Sequence, residues 1–389
     1  MKNCITIKGA RENNLKDITL EIVEFTDYIQ PNNVVESGEL QTRNALNNTS
    51  TFAGTGDVTL NCTGNGKCQW VFHSVLDNDI VINGNSSATY PATDQVGGGT
   101  IRGTVTANGD WYIGSSGYDG RSDSMDAEKV AFNGGVNAAG HKISVASHML
   151  IRFGAAITCD TLEGRYRTVN NSTAKNGVMG GYTLRAANNV IGTIRLDHQK
   201  LWCYVNNAVN GAALVFEGQH APATAASSNY SSETSYVNLN RSGAGSFTQT
   251  FKSISSDAWP RGTAVGYEIR NTTGTAATLK ITGAADTSAT CYVAVNNKVN
   301  VLLAAPSTYR QTFLDRESLT TGNITVTGGE LELGGTATFA SVPAVTVSGG
   351  GLLLNSTLAG SLAGVKSVDL SGTGALSFGS GAAAPFTDA

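Results

Sequence analysis

Three near-copies of one glycine-broken stretch close the chain, and they limit what it can fold into more than any other feature. They read ITVTGGELEL from Ile324, VTVSGGGLLL from Val345 and VDLSGTGALSF from Val368, with starts 21 and 23 residues apart. In the first copy Ile324 and Val326 share one side, and Thr325 and Thr327 take the other. Gly328 and Gly329 turn the chain, then Leu331 and Leu333 resume the apolar side with Glu330 and Glu332 facing away. This alternation is the period of a half-buried strand, and glycine supplies the turn because it has no Cβ to clash. The second copy repeats the pattern with Val345, Val347, Leu352 and Leu354, the third with Val368, Leu370 and Leu376. Phe339 and Val342, like Leu358 and Leu362, supply a third short side. A unit of about twenty residues cannot bury a core of its own, so self-similarity at this period predicts a stack of coils. The predicted fold is all-β: a right-handed parallel β-helix with irregular N-terminal coils.

Composition agrees. Charged residues are 14% of the 389, against about 25% in ordinary soluble domains, and there are 46 Gly and 7 Pro. Small turn-formers in place of charges suit uncharged solenoid walls. The formal net charge of −4 comes without a basic block, so no nucleic-acid surface is indicated. No stretch has the length and apolarity of a membrane span, and no direct membrane insertion is expected. Lys8, Arg11, Glu12, Lys16, Asp17 and Glu21 interrupt any apolar leader at the N-terminus. Of the six cysteines only Cys62 and Cys68 lie close in sequence. A hairpin disulfide and two buried thiols on neighbouring strands are both open, the second favoured. No second pair at metal spacing accompanies them, so no zinc site is expected.

Three segments are expected. Residues 1–22 form a charge-rich strand pair, residues 23–310 irregular coils with loop excursions, and residues 311–389 the regular Gly-rich coils. One helix is predicted, from Asp123 to Phe132, with Asp123 or Ser124 as its N-cap. Within the first segment, Gly9-Ala10-Arg11 and Asn14-Leu15-Lys16 between two apolar runs resemble the opening of the DNA-repair ATPase of the excinuclease ABC complex. The resemblance covers 22 residues and implies a phosphate-binding loop further on. The one Gly-Lys of the chain, Gly66-Lys67, is followed by Cys68 and has Asn61 where the earlier glycine belongs. Neither the backbone cradle nor the magnesium-binding hydroxyl is provided. No cofactor is expected, and the segment is read as a cap or a fused start.

The stretch from Asn188 to Gly218 pairs runs Thr193–Leu196 and Leu201–Val205 across a polar turn and is a weaker relative of the closing copies. Together, over roughly residues 180–389, they resemble autotransporter-associated β-strand repeats of secreted bacterial surface proteins. The resemblance implies an exported passenger, extracellular or at the outer-membrane surface, stacked on neighbouring coils of a longer chain. With no export signal ahead of the repeats and no barrel or sorting tail after them, the chain is expected to be an internal fragment.

Candidate chemistry is thin. Paired carboxylates suit glycoside hydrolysis, and Asp77 with Asp79, or Glu330 with Glu332, are the pairs on offer. The first pair flanks Asn78 in a turn; the second sits on the regular repeat with no histidine or arginine nearby in sequence, where solubility is the expected role. His141 and His148 would face opposite sides of one strand, and Asp197-His198 is expected as a solvated turn. Asp119, Asp123 and Asp126 match no calcium-loop spacing. Trp70, Trp111, Trp202 and Trp259 are candidate sugar platforms, with Trp202 alternating outward between Leu201 and Cys203. Asn48, Asn171 and Asn355 begin Asn-x-Ser/Thr triplets of no expected consequence. No catalytic, cofactor-binding or metal residue is assigned. The leading expectation is a non-enzymatic structural or adhesive passenger contacting glycans or a host or cell surface, and the alternatives are a carbohydrate-active β-helix and an excinuclease fragment.

Overall fold

The computed structural model describes residues 19–21, 32–35, 38–42, 56–62, 68–72, 75–85, 93–94, 99–114, 130–146, 150–165, 180–197, 199–217, 235–258, 267–296, 298–314, 319–357 and 359–384. The described strands pair in parallel, most of them with the strands one coil before and one coil after. The all-β parallel β-helix expected from the sequence is the fold.

Each full coil has three faces. The first face runs through Asp57–Cys62, Ile80–Gly84, Val105–Asn108, 136–138, 157–159 and onward to 345–347 and 368–370. The second runs through Cys68–Phe72, Trp111–Gly114, 142–146, 161–165, 193–197 and 213–217 to 351–356 and 375–378. The third is a separate sheet: Val75–Leu76, Gly99–Ile101, Val130–Phe132, Leu150–Phe153, Gly181–Leu184, Lys200–Cys203, Tyr236–Asn238, Tyr267–Arg270 and Val293–Val295. First and second faces join into one bent ribbon in many coils. Val136–Ala146 turns its corner at Gly140, whose φ of +75° lies where side chains are disfavoured, and its register shifts between Ala138 and Lys142.

Alternation sorts the side chains. Inward positions stack through the interior as Val105, Val136 and Ile157, or as Ile194, Leu214 and Ile254, all buried. Wider coils fill with rings. Trp111 meets Phe132 edge-on at 5.3 Å, Phe132 stacks on Phe153 at 5.6 Å, and Phe216 stacks on Tyr267 at 5.2 Å. The three closing copies lie side by side as expected, with Ile324 beside Val345 and Val345 beside Val368. Phe339, Val342 and Leu362 close their third side, each about 1% exposed. On the last strand, Val368–Phe378, the apolar positions open to solvent: Leu370 is 46% and Phe378 56% exposed, where their partners Val347 and Leu354 are buried.

Backbone groups at the corners are satisfied by buried amides. Asn189 Oδ1 accepts the Ile157 N–H at 2.9 Å while its Nδ2 donates to the carbonyls of Ala186 and Ala208. Gln249 accepts the Val209 N–H and donates to the Val205 and Leu239 carbonyls. Asn61, Asn83 and Asn108 form a ladder on the first face, in which Asn83 donates to Asn61 at 2.7 Å and Asn108 to Asn83 at 2.8 Å. Asn83→Ala removes the middle rung and is expected to lower stability by about 1–2 kcal/mol in denaturant unfolding. No measurable loss would show the ladder to be decoration.

Three expectations are corrected. Val130–Phe132, the end of the expected helix, is a strand, because Phe132 stacks between Ile101 and Phe153 on the inward side of the third face. The rest of that helix lies outside the described residues. Cys62 ends a first-face strand and Cys68 begins a second-face strand; the two strands follow one another around a coil and form no hairpin. The runs expected to pair across a turn near Asp197 are likewise on different faces, each bonded to the coils above and below. Residues 1–18 and Gly66-Lys67 lie outside the described residues, and so do Asp119, Asp123, Asp126, His148, His198 and Trp259.

Candidate functional site on the third face

The carboxylate pairs picked from the sequence make contacts with neighbouring coils, the first at the surface and the second partly buried. Asp77 pairs with Arg102 at 3.4 Å, and Asp79 Oδ1 accepts the Thr104 N–H at 2.6 Å, tying one corner to the next. Asn78 between them is buried and donates to the Gly56 carbonyl. Glu332 is buried rather than a solubilising wall residue. It accepts from Thr312 Oγ1 at 3.0 Å and Asn355 Nδ2 at 3.1 Å. Arg310, which the sequence separates from it by a whole coil, pairs with Glu330 at 2.5 Å and Glu332 at 3.5 Å. Trp111 is a core side chain; Trp70 lies on a described strand, its side chain outside the described part. Among the described residues no group of three or more His, Cys, Asp or Glu is placed to hold a metal ion, and no helix is long and apolar enough to cross a membrane.

Trp202 does point away from the core. It belongs to a second apolar cluster with Leu150 and Tyr236, flanked by Tyr204, on the outer side of the third face. Parallel register builds this cluster. Lys200, Tyr236 and Glu268 form one outward column on three successive coils, and Thr183, Trp202, Asn238 and Arg270 form the next. Arg185, Tyr204 and Arg241 follow at the trailing corner, where the Tyr204 N–H donates to Leu184 and the Arg241 N–H to Cys203.

Cations lie over the rings. The Arg185 guanidinium is 3.9 Å from the Tyr204 centroid, Arg270 is 3.5 Å from Tyr236, and Arg241 is 4.6 Å from Trp202. Lys200 Nζ reaches both Trp202 and Tyr236, at 5.7 and 6.0 Å. Such contacts are worth about 0.5–2 kcal/mol each. Trp202 Nε1 donates to Tyr236 Oη at 3.1 Å, fixing the two rings to each other. Glu268 accepts from Arg270 at 3.2 Å and from Asn296 at 3.0 Å. Trp202 and Tyr236 are therefore nearly buried, at 3% and 8% exposed, and Tyr204 is partly buried, although all three stand outside the core.

The leading edge of the same face carries acids. Asp197 and Glu217 are register neighbours at the ends of second-face strands, and Asp257 follows one coil later. Glu217 pairs with Arg195, Asp257 accepts the Tyr267 hydroxyl, and Asp197 is buried, contrary to the solvated turn expected there. Burial first, then the bond to Asp257 and the charges of Asp257, Asp197 and Glu217, push the Tyr267 phenol far above its ordinary range. Burial likewise raises Tyr182, with Glu163, Cys159 and Asp197 adding to it. A phenol held neutral beside paired carboxylates is a packed polar joint; no open nucleophile or general base emerges from it.

Of this site only Trp202 was legible beforehand. The others are visible only when coils are laid in register: GYTLRAANN, KLWCYVNN, YVNLNRSG and YEIRNTTG each carry an arginine or an aromatic ring just before a corner asparagine or glycine. Comparison with known proteins finds no matching family, no matching curated protein and no matching solved structure.

Proposed function

We propose that this chain is a non-enzymatic segment of a bacterial surface or secreted protein, a stiff spacer that carries an adhesive outer face. The observation that carries this is the continuity of the first face, whose parallel ladder runs coil to coil along the column, with side chains stacked at matched heights. At about 4.8 Å per coil the column between Asn32–Val35 and Val368–Phe378 is on the order of 60 Å long. Stiffness and length come from the backbone, which leaves the outer faces to vary. Of the carboxylates singled out in the sequence, Glu332 is buried and paired with Arg310, while Asp77 meets Arg102 in an exposed pair.

The test is turnover. Acidic and neutral polysaccharides incubated with the chain are expected to release no reducing ends and no unsaturated products. Turnover abolished by Asp257→Asn, at the acidic leading edge, would replace the spacer by a carbohydrate-active enzyme. Small-angle scattering is expected to give a rod cross-section; a compact sphere would defeat the spacer role.

A further inference from the structure

We infer that the open end of the column at Val368–Phe378 is a dimer interface, where this strand pairs antiparallel with the same strand of a second copy of the chain. The ribbon before it, Val345–Ser356, is bonded along both edges, to 324–326 and 330–335 on one side and to Val368–Phe378 on the other. Among the described residues none pairs with the outer edge of Val368–Phe378. Leu370 and Phe378 stand there 46% and 56% exposed, at the register of the buried Val347 and Leu354. An open edge joins to another strand unless charge or proline blocks it. This one has no proline and a single charge, Asp369.

The symmetry of the strand about Thr373 selects a second copy as the partner. Val368 and Phe378 lie equally far from it on either side, as do Leu370 with Leu376 and Gly372 with Gly374. A two-fold axis through Thr373 sets Val368 against Phe378 and Leu370 against Leu376 of the copy, so apolar positions meet apolar ones. Asp369 then faces Ser377, and no like charges oppose one another. The bend follows the same axis. Residues 368–370 continue the first face and 375–378 the second, so each face of one copy lies on the other face of its partner.

Hydrogen-bond direction agrees. The Val345 N–H donates to the Ser367 carbonyl, and the Gly379 N–H to that of Leu354. Backbone groups alternate from side to side along a strand, so residues 367, 369, 377 and 379 point back into the column. Residues 368, 370, 376 and 378 therefore point out of its end. These four are the ones the two-fold sets opposite each other, and each opposed pair can exchange both bonds of an antiparallel ladder. Open backbone groups and apolar side chains thus select one register. Such an interface uses the same patch on both copies and closes at two. It does not draw on the adhesive reading above.

Sedimentation equilibrium at about 10 μM is expected to give twice the mass of one chain, and scattering a rod about twice as long with an unchanged cross-section. Leu370→Lys with Phe378→Lys, both at exposed positions, is expected to weaken association about a hundredfold or more while circular dichroism stays native. Thr373→Cys places a thiol on the axis, with its Cα about 4.5 Å from that of its copy and within disulfide reach. Copper phenanthroline is expected to turn most of this variant into a covalent dimer. Ser380→Cys, exposed at the same end but off the axis, is expected to stay uncrosslinked. A monomer at that concentration overturns the inference and leaves the edge to a further coil laid on in parallel; its rod cross-section would leave the spacer standing. An open series of species beyond two overturns it in favour of head-to-tail stacking. A dimer that survives the double lysine variant, or that cross-links at 380 as readily as at 373, overturns it by placing the contact elsewhere.

Discussion

Above pH 9 the fold is expected to lose about 4 kcal/mol for each further pH unit, from its buried thiols alone. Cys159, Cys203 and Cys291 are unbridged and buried in the interior. Burial pushes the Cys159 thiol from 9.0 up to about 12, with the Asp160 charge adding to it. Burial raises Cys203 and Cys291 further still, and for Cys291 bonds from Val293 and Gln311 only partly offset it. In the unfolded chain all three ionise near 9. Above that pH the unfolded state therefore holds fewer protons than the native one, and stability falls as pH rises. Each group contributes about 1.4 kcal/mol per unit until its native form also ionises. Tyr182, Tyr267 and Tyr309, raised by burial, join from about 10. Guanidinium midpoints measured from pH 7 to 11 should be flat below 9 and fall steeply beyond. An aromatic disulfide reagent at pH 8 should label none of these three cysteines until the chain is unfolded. A flat profile through pH 10, or native labelling at Cys203, would show that the interior is wet.

Replacing Gln311 by Met is expected to cost about 3–5 kcal/mol with almost no change in volume. Gln311 lies on Arg310–Leu314, one coil beyond Ser288–Cys291, and its buried side chain reaches back to the gap between that strand and the second-face run 253–256, where no backbone ladder joins the described residues. Its amide fills the gap. Oε1 accepts the Ile254 N–H at 3.2 Å and the Tyr309 hydroxyl at 2.8 Å, and Nε2 donates to the carbonyls of Ile254 at 2.9 Å and Ala289 at 3.2 Å. Methionine fills the same space and leaves those groups buried without partners, and each orphan costs about 1–3 kcal/mol. Denaturant unfolding gives the loss, and hydrogen exchange at the Ile254 amide should accelerate first. A loss below about 0.5 kcal/mol would mean that the neighbouring backbone closes the gap by itself.

What the sequence made legible follows from local rules. Ile324, Val345 and Val368 could be aligned by eye because glycine breaks and period-two alternation are encoded within each copy, and they do lie in one column. Coil existence was therefore readable from strand period and turn residues. Face assignment was not. Asp197 and Lys200 look like the two sides of a hairpin, yet they end and begin different faces, since only the coils above and below decide the pairing. Val130–Phe132 followed good helix-capping residues and still became a strand, because tertiary stacking on Phe153 outweighs local propensity. The site was the least legible part. Arg185, Tyr204 and Arg241 are unremarkable in sequence and far apart; only register brings them onto consecutive coils. Arg310 beside Glu330 and Glu332 escaped notice for the same reason.

The direction of the backbone hydrogen bonds has a mechanical consequence. They run from coil to coil, along the length of the column. A tensile pull between the two ends loads successive rungs in series, so the weakest coil yields first and each rupture releases one turn of chain. A sideways load is shared by many rungs at once. Tethered at one end in flowing liquid, such a rod would hold its bearing against bending and give way under tension by unwinding in steps.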